Sequence, residues 1–261
     1  MLSSADVLIM ARAAAELQRE PGERATTEAI VTIAVEAVRD ADAASLTVQK
    51  ADGRRQSETL ASTSEVARVC DETQHALPEG PQFDLTPQQM WVSSSDVEND
   101  PRWPRWGPRA ASLGVASVLS VSLYERGRAV GALNLYAARE GRFRDSDQTE
   151  LGVVFASHAA NALASARHIA GLEIALASRH VIGVAQGLLM GRYGLDQDRA
   201  FDLLRRISSH ENVKLVEVAR RVVDTRGVPT SEHASPIHPT PGERSTRPHP
   251  SRVSTGRSCG S

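Results

Sequence analysis

The sequence predicts an α+β domain with an antiparallel sheet and flanking helices, a long helical connector, an all-α module of three short helices, and a disordered tail. Three observations predict it. Apolar residues alternate with period two in two separate stretches, near residues 44–48 and 119–135. A proline-free stretch from about Ser146 to Leu176 then steps its apolar residues by four and three. Finally, three short patterns of helical period fall between Arg179 and Thr225. The boundaries that follow are an N-terminal helix over 1–21, an α+β domain over 22–165, a connector over 166–177 continuous with that domain's last helix, a helical module over 178–225, and a tail over 226–261.

Composition narrows the class. At 261 residues the chain exceeds the ~100–200 of a single domain, and no uninterrupted apolar run approaches the ~20 residues of a membrane span. The start, MLSSADVLIMARAAAELQRE, lacks the basic opening and apolar block of a secretory signal, and its apolar residues recur at helical spacing. Cys70 and Cys259 are too few for a disulfide framework or a cysteine zinc site, which fits a reducing cytoplasm. The net charge of -2 hides an asymmetry. Residues 1–177 hold 17 Lys and Arg against 24 Asp and Glu, residues 178–225 hold 8 against 6, and residues 226–261 hold 5 against 2. Attraction to phosphates acts over a Debye length of ~8 Å, so a basic end on an acidic body can still meet nucleic acid. The alternative is that these arginines only solvate helix faces.

Element by element, a helix is expected from about Thr27 to Arg39 with Ile30, Ile33, Ala34, Ala37 and Val38 on one face. Ala44, Leu46 and Val48 read as a strand, and Arg54 to Thr59 as its antiparallel partner across Asp52-Gly53. Ser62 with Glu65 forms a capping box for a helix reaching about His75, turning Val66, Val69 and Leu77 inward. A second hairpin follows, with Leu119, Val121 and Leu123 returning through Ala129, Gly131, Leu133 and Leu135.

Within this region, Glu79-Gly80-Pro81, Asp100-Pro101-Arg102-Trp103-Pro104, Ser117-Val118-Leu119-Ser120-Val121 and Gly131-Ala132-Leu133-Asn134-Leu135-Tyr136 resemble a GAF domain of the kind that precedes ANTAR modules in actinobacterial regulators. The resemblance implies a sheet with helices on one side and a pocket on the other. Many relatives carry a cysteine after the Gly-Pro pair where this chain has Gln82, so a thiol-based response there is not available. Trp91, Trp103 and Trp106 either line a site for a planar or apolar effector, with Arg102, Arg105 or Arg109 meeting an anion, or anchor a loop to the sheet.

In the connector, Leu151, Phe155, His158, Ala162, Ser165, Ile169, Leu172 and Leu176 form a heptad seam. It serves a homodimer, or its first half covers the domain's own sheet, or both hold on different turns.

The final module carries Val181, Ile182, Ala185, Leu188 and Leu189 on its first helix. Ala200, Phe201, Leu203, Leu204 and Ile207 lie on the second, and Val213 to Val222 on a third opened by Asn212 as N-cap. Turns are expected at Gly194 and near His210. Arg179, the Ala185, Gly187, Leu189, Met190 run, the Ala200, Phe201, Leu204 run, Ser208, and Asn212, Lys214, Leu215, Val218 and Ala219 resemble the ANTAR domain, the RNA-binding module of transcription antitermination regulators. One departure is Gln186, where the family usually carries lysine. The resemblance implies an RNA partner: hairpins in a leader transcript, bound by a dimer. Arg179, Lys214, Arg220 and Arg221 are candidates for phosphate contact, and Gln186, Ser208 and Asn212 for loop bases or positioning. Asn212 has capping as its alternative role, and Ala185, Gly187 and Met190 read as packing residues.

No catalytic residues emerge. The sequence has no GxxxxGK[ST] loop, no GxSxG elbow and no histidine spacing that gathers metal ligands, so neither an enzyme, a cofactor nor a metal is expected. The tail, rich in Pro, Ser, Thr, His and Arg, has little to bury.

Overall fold

The computed structural model describes residues 3–49, 57–144 and 146–227. They form two compact units that part between Ser178 and Arg179. The first opens with α1 (Ser4–Leu17), which buries Met10, Ala13 and Leu17. Ser3 Oγ accepts from the Asp6 N–H at 3.2 Å while the Asp6 carboxylate accepts from the Ser3 N–H at 3.0 Å, a reciprocal cap. Helix α2 (Glu23–Ala37) starts earlier than the apolar spacing implied. Its threonines spend their hydroxyls on the helix itself, Thr26 on Gly22 O and Thr27 on Arg24 O, both at 2.8 Å.

Five strands follow: β1 (Ala43–Gln49), β2 (Ser57–Ser62), β3 (Trp91–Ser94), β4 (Ser117–Glu125) and β5 (Arg128–Ala137). They pair antiparallel in the order β2-β1-β5-β4-β3. The register sets Leu46 against Leu133 and Leu133 against Val121, so the apolar positions read from alternation share one face. That face packs on α1, α2 and the start of the helix after β5. Between β4 and β5, Arg126 (φ 50) and Gly127 (φ 79) both lie in the left-handed region, as a tight hairpin of the sheet's twist requires. The expected turn at Asp52-Gly53 and the strand start at Arg54 lie outside the described residues.

Alternation alone said nothing of the opposite face, where Ser45, Thr47, Ser120 and Asn134 are also buried. The helix covering it, α3 (Glu65–Ala76), corrects the proposed cap. Ser62 is the last residue of β2, and Ser64 Oγ accepts the Ala67 N–H at 3.2 Å. Moving the cap by two positions rotates the inward face to Ala67, Cys70, Asp71 and Gln74 and leaves Val66 exposed. Short helices α4 (Pro81–Asp84) and α5 (Trp106–Ser112) complete this layer. At the sheet edge, Arg102 Nη2 donates to Ser93 O at 2.7 Å and is held by Asp100 at 2.6 Å.

Helix α6 (Ser146–Tyr193) is 48 residues long and starts in the first unit. Leu151, Phe155, Ala159, Ala162 and Leu163 are buried in the core under the sheet, whereas His158 and Ser165 of the heptad seam are exposed. Further on, Ile169, Leu172 and Leu176 of the seam are 55%, 52% and 66% exposed. The first half of the seam therefore serves the domain's own core. By length and composition α6 is also apolar enough to cross a membrane, although Glu150, Arg167, Glu173, Arg179 and Arg192 punctuate it.

The second unit comprises the end of α6, α7 (Gln197–Glu211) and α8 (Leu215–Thr225). Its core is Ala185, Leu189, Ala200, Leu204, Val218, Ala219 and Val222. Asp196 caps α7, accepting from the Arg199 N–H at 2.8 Å, and Gly194 (φ 64) makes the expected turn. Asn212 corrects the sequence reading. It closes α7 in the left-handed conformation (φ 53, ψ 40) rather than opening α8, for which Lys214 is the N-cap. Asparagine fits both roles because its short amide tolerates positive φ. Of the three residues read as packing, only Ala185 is buried. Met190 is 38% exposed, and a Cβ on Gly187 would meet nothing within 4 Å.

Candidate nucleic-acid interface and sensor sites

The seven residues expected at a nucleic-acid interface divide into two groups. Arg179, Lys214 and Arg220 are exposed and make no ion pair among the described residues. The other four brace the module. Gln186 Nε2 donates to Gln197 O at 3.2 Å, tying α6 to the start of α7. Ser208 Oγ donates to Val213 O at 2.6 Å, while the Val213 N–H returns to Ser208 O at 3.1 Å, so Ser208 and Asn212 together form the α7–α8 turn. Arg221 pairs with Glu211, and its Nε is buried without an acceptor. One cation escaped the sequence reading. Arg205 takes Asp202 at 3.1 Å, which leaves its neighbour Arg206 exposed and without an ion pair among the described residues. Two arginines within reach of a single aspartate were the available signal.

The expected effector residues do not converge on one pocket. Trp103 and Trp106 are 1% and 0% exposed and pack edge to face at 5.3 Å. Their indole N–H groups are satisfied internally, Trp103 by Asp84 Oδ2 at 2.9 Å and Trp106 by Cys70 O at 3.2 Å. These two rings are buried packing whose polar atoms are already paired. Arg102 lies over the Trp103 ring at 4.5 Å and is committed to Asp100. The backbone N–H groups of Arg105 and Trp106 donate to Glu79 Oε1 at 2.6 and 2.7 Å, so Glu79 caps α5. The side chains of Arg105 and Arg109 border a separate shallow depression with Glu72 and Thr73. Trp91 alone of the three indoles is accessible, at 43%, in a groove of about 1020 Å³ between β3 and the first turns of α6.

On the α3 side of the sheet, sequence reading missed a buried polar cluster centred on Asp71. Its carboxylate accepts from Ser45 Oγ (3.0 Å), Thr59 Oγ1 (2.9 Å), Asn134 Nδ2 (3.0 Å) and Tyr136 OH (2.6 Å). Gln74 Nε2 donates to Tyr136 OH at 3.2 Å, and Gln74 Oε1 accepts the Gln82 N–H at 3.0 Å. This close approach needs Gly80 (φ 129), since a Cβ there would lie 2.6 Å from the Gln74 side chain. Gln82 reaches Thr47 at 3.2 Å and Ser57 at 2.5 Å, and Ser57 in turn meets His75 Nε2 at 2.5 Å. Complete burial pushes the Asp71 carboxyl up to about 6, against its four hydrogen bonds, which favour the ionised form. Burial and the neighbouring Asp71 raise the Tyr136 phenol well above its usual range, and burial drives the Cys70 thiol up to about 12. The space beside this face is thus largely occupied by the chain's own groups. A cavity of about 250 Å³ remains at its rim beside Gln82 and Tyr124. Asn134 and Tyr136, two apart on β5, were the legible hint that this face is polar and paired.

An antiparallel sheet layered between helices, followed by a small helical bundle with exposed cations, fits a sensor joined to a nucleic-acid-binding output. The family comparison agrees. The GAF domain matches residues 22–164 and the ANTAR domain residues 170–223, so the chain belongs to the GAF domain family and carries an ANTAR domain, a sensory module and an RNA-binding antitermination module respectively. No curated protein matches the chain. Among solved structures, the GAF domain of a phosphoenolpyruvate-protein phosphotransferase from Coxiella burnetii is similar at 19% identity and TM-score 0.52, covering 65% of this chain and 99% of that one. A bacteriophytochrome from R. palustris matches at 10% identity and TM-score 0.57, over 78% of this chain and 47% of its own. The phytochrome photosensory core module of Stigmatella aurantiaca matches at 10% and 0.53, over 80% and 46%. The chain thus spans about half the length of these two phytochrome chains, and at such identities the likeness is one of fold.

Proposed function

We propose that this protein is a signal-responsive regulator whose ANTAR domain binds hairpin RNA in nascent leader transcripts, so that a competing terminator does not form. The observation that carries this reading is the set of cations Arg179, Lys214 and Arg220, exposed and without ion pairs among the described residues, on a bundle of the ANTAR type. An exposed cation that has no internal partner keeps its full attraction for phosphate. The exposed seam residues Ile169, Leu172 and Leu176 support a homodimer, and the GAF domain is the seat of a small-molecule effector or of another sensed state. The reading includes no catalytic step and places the protein in the cytoplasm, where transcripts emerge.

A second reading, a ligand-binding or protein-interaction regulator that has lost RNA binding, is favoured by Gln186. That side chain carries no charge and is spent on Gln197 O. Crosslinking to cellular RNA at physiological salt, with a Lys214→Ala/Arg220→Ala variant alongside, separates the two. The first reading expects leader hairpins to be enriched and lost in the variant, with the salt slope of binding lowered by about 1.5 for two phosphate contacts. Equal nonspecific background from both proteins would establish the second.

A further inference from the structure

On the α3 side of the sheet the chain's own polar groups take most of the space, but on the α6 side the groove beside β3 stays open. At about 1020 Å³ it is at the upper end of the ~300–1,000 Å³ typical of small-molecule sites. Its apolar surface is the exposed Trp91 together with the half-buried Val153 and Val154. Its charges are of two kinds. Arg102 and Asp100 neutralise each other at 2.6 Å, and Asp96 receives the Asn99 backbone N–H at 3.2 Å and amide at 3.1 Å. By contrast, Arg144 makes a single neutral contact, Nη2 to Ser95 Oγ at 3.2 Å, and no ion pair among the described residues. Glu150 is exposed and has no hydrogen-bond or ion-pair partner among them. Among the described residues, Arg144 is thus a cation without an ion pair and Glu150 an exposed anion without any partner beside an accessible indole, while Asp96 is half-buried and held by the Asn99 donors.

We propose that this groove binds a small aromatic zwitterion, a planar ring bearing a carboxylate and an ammonium, as in a free aromatic amino acid. Arg144 receives the carboxylate, Glu150 the ammonium, and Trp91 with Val153 and Val154 the ring. A purely anionic aromatic pairs with Arg144 but leaves Glu150 unpaired near a like charge, and a purely cationic one pairs with Glu150 but leaves Arg144 so. Each forfeits one of the two ion pairs, so the groove favours the zwitterion over both. The inference rests on the reading that the GAF domain senses a small molecule, and gives that molecule a place and a chemistry. Occupancy engages α6 directly, at Glu150, Val153 and Val154.

The test uses the full chain and L-phenylalanine, read by tryptophan emission and by calorimetry. Trp103 and Trp106 are buried, so Trp91 reports contact. A saturable emission change is expected, absent in Trp91→Phe. Hydrocinnamate, which lacks the ammonium, and phenethylamine, which lacks the carboxylate, should bind at least about tenfold more weakly, a difference of about 1.4 kcal/mol. Arg144→Gln and Glu150→Gln should each weaken L-phenylalanine by a similar factor, with circular dichroism and thermal unfolding unchanged. The site is overturned if no probe saturates at millimolar concentration, if all three bind alike, or if Trp91 emission shifts with protein concentration alone, which would place a second copy in the groove. Binding undiminished in Arg144→Gln would also overturn it while leaving a GAF sensor intact elsewhere. RNA retention measured on the same samples shows separately whether the output reading stands.

Discussion

Replacing Asp71 by Asn keeps the shape of the side chain at the centre of the buried polar cluster and removes its charge. Burial raises the carboxyl to about 6 in the folded chain, above an ordinary value of 3.8. Between those two values the folded state holds a proton that the unfolded state has released. Stability therefore falls as pH rises through the window and levels off above about 6. At 1.36 kcal/mol per pH unit the full effect is roughly 3 kcal/mol, of which roughly 2 kcal/mol lies between pH 4.5 and 7.5. Tyr136 and Cys70, which also feel the Asp71 charge, are both raised and stay protonated across this range, so the difference between the two proteins isolates Asp71. Urea unfolding of both at pH 4.5, 6 and 7.5 is expected to show wild type losing roughly 2 kcal/mol relative to Asp71→Asn across the series. Parallel profiles would refute the reasoning. A gap that moves the other way would mean that the hydrogen bonds from Ser45, Thr59, Asn134 and Tyr136 outweigh desolvation and hold the carboxylate ionised.

The remaining predictions concern packing and turns. Trp103→Ala should cost about 3–5 kcal/mol, measured by chemical denaturation, since it removes a buried ring and leaves Asp84 without its indole donor; a loss under about 1 kcal/mol would mean that the ring is not core. Asn212→Gly should leave the helical module's stability within a few tenths of a kcal/mol, whereas Asn212→Val should cost about 1 kcal/mol or more, because a β-branched residue resists φ 53. Equal thermal shifts for the two would argue against the left-handed turn.

Much of the architecture was legible because it rests on period. Alternation located β1, β4 and β5, and helical spacing located the core of the three-helix bundle at Ala185, Leu189, Ala200, Leu204, Val218, Ala219 and Val222. What period does not encode was missed. Asn212 suits both the start and the end of a helix, and which one applies depends on the hydrogen bonds between Ser208 and Val213. Ser62 and Ser64 are equally good caps by type, and only the length of β2 decides between them. The pairing of Asp71 with residues from β1, β2 and β5 is nonlocal, so nothing within a short window announces that a carboxylate is buried there. The candidate contacts were least legible, because a residue type that can meet RNA can equally brace its own fold, as Gln186, Ser208 and Arg221 do.

The short edge strand β3 bears on how this protein behaves when crowded. An open strand is a template on which another chain can stack, and four residues already make a poor one. Here the outward carbonyl of Ser93 is also occupied by a guanidinium that Asp100 holds in place, so an intruder must displace that guanidinium to bond there. At this end the sheet resists growing into a larger aggregate.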